Sequence, residues 1–132
     1  MAKVILGNKP KNFKKAVTFP MLDGSEGSIE VLFKYRTKRE YGAFIDEAKA
    51  SAGLRLTDKT DGDDKKEISW AEVHGLGIEA NADHLMGVIE GWNLDAEPNR
   101  EAFEQLADEL PAAANAILET YRKAIIEGRL GN

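Results

Sequence analysis

The side chains with the widest chemical reach are His74, Glu79, Asp83 and His84, two imidazoles and two carboxylates in one short stretch. Such groups ligate zinc, so they raise a metal-dependent hydrolase as one reading. Their spacing argues against it. There is no H-E-x-x-H, and on a continuous helix His74 and His84 sit about 80° apart in projection and about 15 Å apart along the axis. A solvated helix surface is the better reading. The run Asp61-Gly62-Asp63-Asp64 has a superficial likeness to a calcium loop. With Gly62 in the glycine position of an EF-hand, ligand positions fall on Thr57, Lys59 and Ile68, where carboxylates are required. No G-x-S-x-G, P-loop or G-x-G-x-x-G is present, and Gly75-Leu76-Gly77 lacks both the third glycine and a preceding strand. The residues give no reason to expect catalysis, a metal or a cofactor. The expectation is a protein that is not an enzyme.

Composition narrows the classes further. The 132 residues fit one domain, and 42% hydrophobic content is enough for one moderate core. Zero cysteines exclude disulfides and thiolate chemistry. No apolar run approaches the roughly 18 residues of a membrane span, and the first residues are too short for a signal-peptide core. A soluble, unprocessed chain with no membrane partner is expected. The net charge of −5 divides unevenly, with +6 on residues 1–39 and −11 on residues 40–132. A nucleic-acid binder would be expected to be basic overall, so nucleic acid is not an expected partner. The basic N-terminal part can meet an acidic partner or the chain's own acidic helices.

The elements follow from periodicity. Residues 1–14 hold Val4, Ile5 and Leu6 before Gly7 and Pro10, and read as a flexible arm or an edge strand. Residues 15–36 read as a β-hairpin around Leu22-Asp23-Gly24-Ser25-Glu26-Gly27, with Ile29, Val31, Phe33 and Tyr35 on one face and Glu30, Lys34 and Arg36 on the other. Thr37-Lys38-Arg39-Glu40 is a capping box that opens a helix over 37–53, with Tyr41, Phe44, Ile45, Ala48 and Ala52 on its stripe and Gly53 as its stop. Residues 57–67 lack apolar side chains and read as a mobile acidic loop. Residues 69–128 form the helical part. Ser69 and Glu72 make a second capping box, a break is expected at Gly75 and Gly77, and Ile78 to Leu94 reads as one amphipathic helix ending on Trp92 as a core anchor. Asn99 caps a helix with Phe103, Leu106 and Leu110, and Pro111 starts a last one with Ile117, Leu118, Tyr121 and Ile125, stopped by Gly128. The predicted fold class is α+β, mostly α, an N-terminal β-hairpin packed on a bundle of about four or five helices.

In this order the pieces resemble the phage tail assembly chaperones of siphophages and prophages. The likeness rests on GSIEVLFKYRTKRE, where a strand runs into a helix, and on Val88-Ile89-Glu90-Gly91-Trp92-Asn93-Leu94-Asp95-Ala96-Glu97, similar to the family's I-x-G-W-x-L-x-x-E signature. It continues through Leu110-Pro111, the region from Tyr121 to Ala124, and the terminal Gly131-Asn132. The loop 57–67 departs from the shortest family members. The resemblance implies a non-enzymatic binder of the tape measure protein in the host bacterial cytoplasm, displaced as tail tube protein polymerises and absent from the mature virion. Many such proteins also have a frameshifted longer form, on which this sequence is silent. Trp92, Leu94, Phe103 and Tyr121 are taken as the framework of the partner-binding surface. Self-association as a homo-oligomer is left open. The runner-up reading is a structural tail or head-tail joining protein that stays in the virion.

Overall fold

The computed structural model describes residues 3–60 and 69–129. Their order is β1 (Asn12–Pro20), β2 (Glu26–Lys34), α1 (Lys38–Thr60), α2 (Trp70–Val88), β3 (Ile89–Trp92), α3 (Arg100–Glu109) and α4 (Pro111–Glu127). The expected α+β architecture, mostly helical with an N-terminal hairpin, is what these residues form. Among the described residues no helix is long and apolar enough to cross a membrane.

Alternation along β1 and β2 places Val17 opposite Ile29 and Phe13 opposite Phe33, so one face of the hairpin is apolar. Val17, Phe19, Ile29, Val31 and Phe33 are buried. The hairpin is slightly displaced from the predicted 15–36, because β1 starts at Asn12 and β2 ends at Lys34. At the turn the backbone N–H of Met21 donates to Ser25 O at 2.8 Å, and Gly24 has φ +90°, a conformation that favours glycine. Residues 3–10 form no strand, and the tripeptide Val4-Ile5-Leu6 is exposed.

Both capping boxes form. The Thr37 N–H donates to Glu40 Oε1 at 2.8 Å and the Glu40 N–H to Thr37 Oγ1 at 3.2 Å. The Ser69 hydroxyl and the Glu72 carboxylate satisfy each other's backbone N–H in the same way. Asn99 caps α3, Pro111 opens α4, and Gly128 ends α4 in the left-handed region at φ +73°.

Four expectations are corrected. Helix α1 does not stop at Gly53 but runs to Thr60. Arg55 holds the extension to α2 through Glu79 at 3.2 Å and Asp83 at 2.8 Å, contacts that a local reading of Gly53 does not contain. The predicted acidic loop 57–67 is therefore helical as far as Thr60, and 61–67 lie outside the described residues. Helix α2 passes through Gly75 and Gly77 without a break. Each glycine costs about 1 kcal/mol, a preference and not a stop, and the Ser69–Glu72 capping box fixes the helix start ahead of both.

The third correction concerns the stretch from Ile78 to Leu94. It is not one helix, for α2 ends at Val88 and Ile89–Trp92 becomes β3. The β-branched Ile89 and the aromatic Trp92 suit a strand, and β2 offers a free edge to pair with them. Phe33 pairs with Ile89 and Val31 with Trp92, across an irregularity between Leu32 and Phe33. The sheet order is β1-β2-β3, antiparallel throughout. Trp92 is consequently a half-buried strand residue, packed against the core and not sealed within it. The fourth correction is Arg36, expected on the solvent face of the hairpin. It lies just past β2 and turns inward, half-buried.

Candidate functional site

Tyr121 and Phe44 define the central geometry. Tyr121, from α4, is buried, with its ring 5.7 Å from Phe33, 6.0 Å from Phe13 and 5.8 Å from Tyr41. Its hydroxyl accepts a hydrogen bond from Arg36 at 3.1 Å, and the same guanidinium donates to Gly87 O. Arg36 also lies 4.0 Å over the Phe44 ring. A half-buried cation is thus satisfied by a phenol, a carbonyl and an aromatic face at once. Burial pushes the Tyr121 phenol above its usual range, with Arg36 opposing that shift.

Phe44 reaches α2 because Gly87 has no side chain. A Cβ there would overlap the Phe44 ring. Phe44 is also part of the wall of a groove of about 400 Å³ between α1 and α4, to which α2 contributes His84 and Val88. Tyr41, Phe44, Ile45, Val88, Leu118 and Tyr121 supply its apolar lining, while His84, Asn115, Glu119 and Arg122 supply polar groups. An apolar floor with charged edges suits a helical partner.

His84 lines this groove with its ring edge-on to Phe44 at 5.4 Å. It is half-buried, which corrects the expectation that both histidines are solvated surface residues; His74 is exposed and stacks on Trp70. Among the described residues no group of three His, Asp or Glu side chains converges on a metal position.

Desolvation holds the His84 imidazole below its usual range, against the opposing charge of Asp83. The unfolded chain therefore takes up the proton first. The stability contributed by neutral His84 is complete above the ordinary histidine pKa of about 6.5 and is lost as the pH falls through the lower folded value. His84→Gln should flatten the fall in melting temperature from about pH 6.5 to pH 5. Thermal scans of both proteins across that window check this, and parallel curves would refute it.

Beside the groove, Asp83 joins three helices. It receives Arg55 from α1 and Arg100 from α3, and Arg100 also bonds Glu104 at 2.9 Å. Burial opposes ionisation of Asp83, but hydrogen bonds from Arg100 and Arg55 outweigh it and hold the carboxyl below its usual range. The carboxylates expected to be simple solvation include this connecting one.

Trp92 and Leu94 occupy a second site. The Trp92 ring meets Phe103 edge-on at 5.2 Å, and its indole N–H donates to Ala96 O at 2.7 Å. With Ala96, Ala102, Leu106 and Leu110 they line a cleft of about 180 Å³, bordered by Gln105 and Glu109. Phe103 is buried beneath it. Of the four predicted framework residues, Trp92, Leu94 and Phe103 come together, whereas Tyr121 lines the other groove. Arg36 and Gly87 were missed. The only signals were the position of Arg36 at a strand-to-helix junction and a glycine inside an otherwise apolar helix stripe.

The family model described as phage tail assembly chaperone matches residues 1–132. No curated protein and no solved structure matches the chain.

Proposed function

The chain belongs to the phage tail assembly chaperone family, and on that premise we propose that it binds the tape measure protein, keeps it soluble and helps recruit tail tube protein during tail assembly. The observation that carries this reading is the α1/α4 groove. Its lining from Tyr41, Phe44, Ile45 and Leu118 is only partly buried, so apolar surface remains that the chain's own core does not use. A long helical partner with exposed apolar stripes is the kind of chain such a groove can shield. Tyr121 forms the floor. Trp92, Leu94 and Phe103 act as framework, holding α3 against the sheet. The site of action is the host cytoplasm, and the protein leaves before the virion is complete.

Co-expression with the tape measure protein tests the proposal. The tape measure protein should become soluble only in company, and light scattering should show a defined complex. Ile45→Glu and Leu118→Glu, which place charge on the groove walls, should abolish the rescue while leaving the far-ultraviolet circular dichroism unchanged. Equal insolubility with and without this chain would overturn the proposal, as would its recovery in purified virions as a stoichiometric component.

A further inference from the structure

The N-terminal arm and the Trp92 cleft are complementary in shape class and in charge. In the arm Val4 is 86% exposed, Ile5 57% and Leu6 95%, an apolar tripeptide that its own chain leaves largely uncovered. Lys3, Lys9 and Lys11 flank it, all exposed, and residues 3–15 contain no acid. The cleft is the converse. Trp92, Leu94, Leu106 and Leu110 line it, with Leu94 38% and Leu110 36% exposed. Glu109 borders it, and the exposed Asp95 and Glu97 are chain neighbours of the lining residues Leu94 and Ala96. The one cation of segment 93–110, Arg100, is engaged by Asp83 and Glu104.

We propose that the Val4-Ile5-Leu6 arm of one copy seats in the Trp92/Leu94 cleft of a second copy. Burying the tripeptide removes its apolar area from water. The lysines meanwhile approach an acidic rim, which adds attraction that salt screens. Gly7 at φ +87° and the bond from Asn8 N–H to Ile5 O at 3.3 Å bend the arm through Leu6 and Gly7, presenting the tripeptide as a compact knob. Each copy has one arm and one cleft. The contact either reciprocates and closes a dimer or propagates from copy to copy. It uses a different surface from the α1/α4 groove and stands whether or not the tape measure protein is the partner there.

Sedimentation velocity on the full chain, with no N-terminal tag, tests the pairing. The wild type should associate as concentration rises toward about 1 mM, the range of a small interface, and less so at high salt. Ile5→Glu with Leu6→Glu should give a monomer at every concentration, with an unchanged melting temperature because those side chains are exposed. Leu94→Glu should also be monomeric; if it folds poorly, charge reversal by Glu109→Lys replaces it. Mixing the arm variant with the cleft variant should restore one contact, giving a heterodimer and nothing larger. A wild type that stays monomeric throughout would overturn the proposal, including the case of an arm folding back on its own cleft. So would a mixture that fails to pair, or association that survives both substitutions.

Discussion

Replacing Tyr121 by alanine is expected to lower the unfolding free energy by about 3 to 5 kcal/mol, the range for deleting a large buried aromatic. The side chain is 1% exposed and touches rings from β1, β2 and α1, so its loss opens a cavity where the sheet and two helices meet. It also leaves Arg36 without one of its partners inside a partly dry site. Tyr121→Phe separates the two effects. It retains the stacking and removes only the hydroxyl, so it should cost about 1 kcal/mol. Urea titrations of the three proteins measure this. If the alanine variant loses less than the phenylalanine variant, Tyr121 is not the packing centre described here.

Gly87→Val has the second large effect, through the opposite mechanism. No void is made; the new side chain is driven into the Phe44 ring. Helix backbone lies behind Gly87, so Phe44 must leave or α1 must move away from α2. Overpacking of this kind costs about 1 to 3 kcal/mol, and valine's gain in helix propensity over glycine, about a few tenths of a kcal/mol, is too small to offset it. The displacement also removes the face over which Arg36 sits and reshapes one wall of the groove. Stability and rescue of the tape measure protein should fall together. A double variant, Gly87→Val with Phe44→Ala, should recover part of the stability because the clash partner is gone, while rescue stays lost. Failure of the second substitution to restore any stability would show that the clash is not the cause.

Much of the fold is written locally. Ser, Thr and Asn before helices, Glu three residues on, Pro111 at a first turn and Gly128 at a last one all act within a few residues, and each is found capping where its type predicts. The alternation of Ile29, Val31 and Phe33 fixes which face of the hairpin is buried, because a strand's period leaves no other choice. The i, i+3, i+4 stripes of α3 and α4 name Phe103, Leu106, Ile117, Tyr121 and Ile125, all buried.

The sequence by itself therefore determined helix starts, the hairpin, the apolar faces and, through the order of short motifs, the family. Tertiary structure decided where local preference was weak or conflicted. Ile89 to Trp92 fits a helix stripe and a strand about equally, and only the unpaired edge of β2 selects the strand. Gly53, Gly75 and Gly77 favour interruption; the Arg55 ion pairs carry α1 past the first, and the Ser69–Glu72 capping box starts α2 ahead of the other two. The candidate groove was the least legible part. It depends on Arg36 turning inward and on a missing Cβ at Gly87, contacts between elements 51 residues apart that no window of local periodicity contains.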